Sequence, residues 1–226
     1  MATSLSATSA RLEIGSLKLD VFSQILLSIF RGELPTGARL KVQHLADQFG
    51  VSSTPIREAI VELAGLGVVE LSTNRGASVA PFGVKEVREI YHVRKLLEVE
   101  SARMACQCQD LSEIEAVHSE TLLLQTAPKD EHWIANCVDN DRRMHQAIVR
   151  ASGSSRLKAE LERYGRLMHI IRGMVKSVYH FHDQILTEHV VVLQAILKQD
   201  EIAASQAMRQ HLDNTCERAV EGIFAQ

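Results

Sequence analysis

Long hydrophobic runs are missing from this 226-residue chain. None approaches the roughly 20 apolar residues that a helix needs to cross a bilayer, so no membrane partner is expected. The opening stretch, residues 1–16, has no apolar signal core and reads as a mobile arm of a cytoplasmic protein. Proline is scarce at four residues and glycine contributes only twelve, which leaves long helices open and argues against low-complexity linkers. The four cysteines, Cys106, Cys108, Cys137 and Cys216, form no CxxC pair. That removes the usual metal and redox motifs and leaves free thiols in a reducing compartment. An excess of positive charge is lacking too: the net charge is −3. Residues 1–83 carry seven Lys/Arg against seven Asp/Glu, and residues 84–226 carry eighteen against twenty-one. A nucleic-acid partner would have to be held by a local basic patch, not by a global field.

What is present divides into two parts of different character. In residues 17–82 short helical patterns alternate with turns. Leu19, Phe22, Ile25, Leu26, Ile29 and Phe30 recur at helical spacing, and Gly32, Pro35 and Gly37 stop that helix. Leu45, Ala46 and Phe49 make a second helix closed by Gly50, and a third starts near Ser52–Pro55, where proline fits a first turn. Two β-capable runs, 68–71 and 77–80, flank an Asn/Gly turn and predict a hairpin. Two helices joined at a glycine and followed by a hairpin make a winged helix-turn-helix. Its third helix suits a DNA major groove, and its N-terminal face offers Ser52, Ser53, Thr54 and Arg57. Gln43 and Arg39 beside it, and Arg75 with Gly76 at the wing tip, complete the candidate DNA contacts. A surface pairing of Arg57 with Glu58 or Glu62 is the plainer alternative for that arginine.

From residue 84 onward the pattern is helical, with about six helices over 84–107, 111–125, 131–151, 154–174, 178–198 and 201–223. The expected architecture is therefore mainly α, a winged helix-turn-helix ahead of an antiparallel helical bundle spanning 84–226. Nine of the ten histidines lie in this second part. Asp141 and His145, four apart, share a helix face. His189 and His211 stand eleven residues before and after the break at Asp200. In an antiparallel pair they reach the same height, about 16 Å from the turn. An Asp/His/His/His set suits a divalent ion, with zinc first and nickel, manganese or cobalt admissible. Four polar residues satisfied separately is the alternative. His92, His118, His132, His169, His180 and His182 are set aside as non-ligands, and Arg94 and Arg172 are candidates either for clamping a ligand carboxylate or for salt bridges between helices.

The stretch from Gly32-Glu33-Leu34-Pro35-Thr36-Gly37 through Leu45-Ala46, Gly50-Val51-Ser52 and Thr54-Pro55-Ile56-Arg57-Glu58-Ala59 to Asn74-Arg75-Gly76 resembles the DNA-binding domain of the GntR family. That resemblance implies a homodimer on double-stranded operator DNA. Two departures stand out, since the family commonly has a basic residue where this chain has Ser53 and another near Gln43–His44. A shifted operator preference is expected. The second part is similar to the FCD ligand-binding domain of the FadR branch, in its shorter, VanR-like form. The matching pieces are residues 91–98, 139–145 with 151–153, Glu188-His189 and His211-Leu212. The resemblance implies metal ligands at Asp141, His145, His189 and His211, and a small carboxylate effector that coordinates the metal is the expected ligand of such a site. Two rival readings use the same residues: a metal-dependent hydrolase, against which no HExxH or comparable motif is found, and a regulator whose metal is purely structural.

Overall fold

The computed structural model describes residues 20–73, 76–174 and 179–224. The proposed arm over 1–16, the Leu19 start of the first helix and Arg75 lie outside the described residues. Helix α1 (Val21–Phe30) opens at Asp20, whose carboxylate accepts from the Ser23 amide at 2.8 Å and fills one otherwise unpaired donor of the first turn. Helix α2 (Val42–Phe49) ends at Gly50 in the left-handed region, φ +66°, where a side chain would be strained. Helix α3 (Ser53–Gly65) buries Ile56, Ala59, Ile60 and Leu63 on one stripe. Strands β1 (Val69–Ser72) and β2 (Gly76–Val79) pair antiparallel, Val69 opposite Val79 and Ser72 opposite Gly76. Residues 37–40 join β2 by backbone hydrogen bonds, including Leu40 N–H to the Ala77 carbonyl at 2.9 Å. This is the expected winged helix-turn-helix.

The bundle follows as α4 (Val84–Ala105), α5 (Ser112–Thr126), α6 (Trp133–Ala151), α7 (Ser155–Met174), α8 (Tyr179–Leu197) and α9 (Glu201–Phe224). The six spans lie within two residues of those predicted. Helix α4 packs chiefly on α9, α8 on both α5 and α9, and α6 on α4, α5 and α7. One apolar core, with Met144, Ile148, Val192, Ile196, Met208 and Leu212, fills the bundle. A second core spans the joint. There Phe22, Ile25, Leu26 and Leu63 from the winged helix meet Tyr91 of α4, Leu167 and Ile171 of α7 and Ala219 of α9. The two halves are thus joined by shared apolar packing as well as by the short link at residues 81–83, and α7 belongs to both. No described helix is long and apolar enough to cross a membrane. Cys106, Cys137 and Cys216 are buried free thiols and Cys108 is half-buried.

Candidate metal centre and nucleic-acid interface

The metal candidates arrive from three helices. Asp141 and His145 stand one turn apart on the inner face of α6, His189 comes from the middle of α8 and His211 from α9. One ligand atom from each lies within 4.8 Å of the other three. His211 Nε2 is 3.3 Å from His145 Nε2, His145 Nε2 is 3.7 Å from Asp141 Oδ1, and His189 Nε2 is 3.3 Å from the same oxygen. Donors about 2.0–2.2 Å from one ion stand roughly 3–4 Å apart, so the spacing fits a single ion. His189 and His211 are fully buried; His189 Nε2 faces the Asp141 oxygen, and its Nδ1 has no hydrogen-bond partner among the described residues. A buried imidazole so sparsely paired is costly unless something else completes its contacts. The four residues therefore fit a divalent transition ion in chemistry and in spacing.

Their surroundings tune them. Burial opposes ionisation of Asp141, but Arg172, whose Nε is 2.5 Å from Oδ2, holds the carboxyl well below the ordinary range. Burial pushes His211 down to about 4 despite Glu188, and pushes His189 down as well. Both rings are neutral near pH 7, the form a metal requires. His145 runs the other way: burial disfavours its charge, but the adjacent Glu98 carboxylate raises it. Glu98 is itself buried and paired with Arg94 at 2.7 Å. Glu188 accepts from His211 Nδ1 at 2.9 Å, Asn214 at 2.7 Å and Arg218 at 2.6 Å. Three carboxylates, Asp141, Glu98 and Glu188, are thus each matched by one guanidinium, from Arg172, Arg94 and Arg218.

Cavities open on two sides of the cluster. One, of about 30 Å³ and partly open, is lined by Tyr91, Asp141, Ile171, Arg172, Phe181 and Ile185 among others. The second, of about 150 Å³, is a cleft reaching Arg94, Glu98, His145, Met168 and Arg172, with Arg142, Arg150 and Lys158 also along its walls. Arg94 and Arg172 therefore stand at the site as expected, each in an ion pair. Glu98 and Glu188 escaped the sequence reading. Both sit in the matched segments, Glu98 four residues after Arg94 and Glu188 beside His189, but nothing in their spacing points to His145 or His211. Of the histidines set aside, His182 lines the first of these cavities, packed edge-on against Trp133 with centroids 6.0 Å apart.

The candidate DNA contacts form two groups. Ser52, Thr54 and Arg57 are exposed at the start of α3 and Ser53 is half-buried. The Ser53 hydroxyl reaches Gln43 Oε1 at 3.5 Å, so the two positions that depart from the family pattern touch each other. Arg39 and Gly76 belong to the wing side, Arg39 through its bridge to Ser78 and Gly76 at the head of β2. Arg57 makes no ion pair among the described residues, and Glu62 is taken instead by Arg166 of α7.

Residues 17–79 match the gntR family of bacterial regulatory proteins and residues 89–214 match the FCD domain. The chain belongs to this family. It is 29% identical over 205 residues to the transcriptional regulator YdhC of Bacillus subtilis, covering 88% of this chain and 89% of that one. It is also 27% identical over 222 residues to the gluconate operon transcriptional repressor of Bacillus subtilis, covering 92% and 87%. The solved structure of Escherichia coli McbR/YncC has the same fold, with a TM-score of 0.66 at 20% identity over 92% of this chain and 99% of that one. These relatives are transcriptional regulators and not enzymes, so this FCD-containing member of the GntR family is read as a regulator and not as a hydrolase.

Proposed function

We propose that this regulator binds operator DNA as a homodimer through residues 17–82, and releases or tightens that grip when a small carboxylate enters the metal-bearing site of residues 84–226. Asp141, His145, His189 and His211 would hold the ion, and zinc suits the nitrogen-rich set best. A bound divalent ion would supply Lewis acidity and an open position for an incoming carboxylate. The carboxylates around the site are already matched one for one by Arg94, Arg172 and Arg218, so an added dication calls for an anionic partner. Arg172 stands on the cavity wall with its guanidinium on Asp141, positioned to share a ligand's carboxylate.

The observation that carries the sensing half of this reading is the continuity of α7. Arg172 on this helix contacts Asp141, and Arg166, about 9 Å earlier along the axis, contacts the recognition helix. Arg166 Nε donates to Glu62 of α3 at 2.9 Å and Nη1 donates to Asp20 at 2.8 Å, while the guanidinium lies 4.5 Å from the Phe22 ring centroid. A ligand that draws Arg172 off Asp141 displaces a helix that also holds α3. Coupling of this kind requires different affinities for the two arrangements and typically amounts to about 1–3 kcal/mol, roughly 5–150-fold in DNA affinity.

The test starts by selecting bound duplexes from a random-sequence pool. Zinc-loaded protein on the selected duplex is then titrated with carboxylates, beginning with gluconate because one relative represses a gluconate operon. The expected result is an acid that binds the protein and shifts DNA affinity at least fivefold. Acids that bind but leave DNA affinity unchanged would refute the sensing mechanism.

A further inference from the structure

Glu188 stands outside the four candidate ligands yet has the densest set of polar contacts near them. Its carboxylate accepts from His211 Nδ1 (2.9 Å), Asn214 Nδ2 (2.7 Å) and both terminal nitrogens of Arg218 (2.6 and 3.1 Å). All three partners lie on one face of α9 at positions 211, 214 and 218, so a single side chain of α8 is clamped along two turns of its neighbour. With Nδ1 of His211 committed to Glu188, the ring's lone pair is on Nε2, the atom 3.3 Å from His145 Nε2. His189, fully buried, has no comparable partner on Nδ1 among the described residues.

We infer that Glu188 is a positioning residue for the metal centre: it fixes His211 with the proton on Nδ1 and delivers Nε2 toward the ion, while Asn214 and Arg218 hold Glu188 in place. Outer carboxylates of this kind orient an imidazole and raise its basicity, and their loss typically lowers metal affinity about 10–100-fold. The inference rests on the metal reading above, but its ring-tautomer consequence belongs to the metal-free protein too.

The experiment pairs zinc affinity, from competition with a chromophoric chelator, with nitrogen-15 NMR of the His211 ring in metal-free full-length protein. Glu188→Ala should weaken zinc 10–100-fold and move His211 from the Nδ1-protonated form to a mixture of tautomers. Glu188→Gln keeps a carbonyl acceptor and should recover most of both losses, which also covers an alanine variant that folds poorly. Zinc affinity within twofold of native in Glu188→Ala, or His211 remaining Nδ1-protonated there, would overturn the role of Glu188. A native protein that takes up no zinc would overturn the metal reading itself, whatever the tautomer.

Discussion

Zinc should stabilise this protein by an amount that can be worked out beforehand, and the stabilisation should vanish with one imidazole. In the native fold the four ligand atoms already lie within 4.8 Å of one another. In the unfolded chain they come from segments up to 70 residues apart, Asp141 to His211. The ion therefore binds the native state and not the unfolded one. At a zinc concentration 100-fold above its dissociation constant the gain is about 2.7 kcal/mol. For a chain of this length each kcal/mol raises Tm by about 2–4 °C, so the expected rise is about 5–11 °C over chelator-treated protein. His211→Ala removes one donor. If affinity falls about 100-fold, the gain at the same zinc concentration drops to about 0.4 kcal/mol, or roughly 1 °C. His180, exposed on α8 and hydrogen-bonded to Gln184, is the control, and His180→Ala should keep the full rise. Differential scanning fluorimetry with and without zinc reads all three. Equal rises in native protein and His211→Ala would refute the reasoning, since the ion would then bind elsewhere.

Three further outcomes follow from the same structure. In chelator-treated protein, acid should destabilise the fold between pH 6.5 and about 4. His211 stays neutral down to about 4 in the native state while the unfolded ring gains its proton near 6.5. Its contribution is thus whole above 6.5 and is lost as pH falls. The His189 shift has the same sign, and the raised His145 opposes both. His211 alone accounts for about 2 kcal/mol between pH 7 and pH 5, and thermal melts of His211→Ala should show that much less loss. Arg166→Ala should cost little stability, under about 2 kcal/mol, because its ion pairs are half-exposed and its ring contact is modest. It should nevertheless reduce the effector's influence on DNA affinity, and a native-like response in that variant would remove α7 from the route. Arg57→Ala should weaken binding to the selected duplex by about 1–3 kcal/mol if Arg57 reads a base edge. A phosphate contact would instead weaken all sequences alike and lower the salt dependence by about one ion, so equal binding by native and variant protein in fluorescence-anisotropy titrations would exclude Arg57 from the interface.

How much of this was legible in the sequence varies with distance along the chain. The helix-turn-helix and hairpin were readable because glycine turns, a first-turn proline and apolar periodicity are local signals. Asp141 with His145 was readable because a four-residue step in a helix fixes a shared face. The meeting of His189 with His211 followed from one assumption, that α8 and α9 fold back on each other near Asp200. What was hidden depends on packing between distant segments. Arg166 meets Glu62 across 104 residues, and Leu167 and Ile171 show an apolar stripe without revealing that it joins the core that holds Phe22 and Leu63. The outer carboxylates were hidden for the same reason, since Glu98 reads equally well as an ordinary i,i+4 partner of Arg94. For Arg94 and Arg172 the choice between ligand clamp and salt bridge stayed open in the sequence. In the fold both are ion-paired, and both line cavities at the cluster.

The most direct measurement is X-ray absorption at the zinc edge of stoichiometrically loaded protein, native and His189→Ala. Three imidazole nitrogens and one carboxylate oxygen should surround the metal in native protein, and one imidazole should be lost in the variant. Sulfur in the first coordination sphere, or a spectrum untouched by the substitution, would mean that α6, α8 and α9 do not close around a common ion.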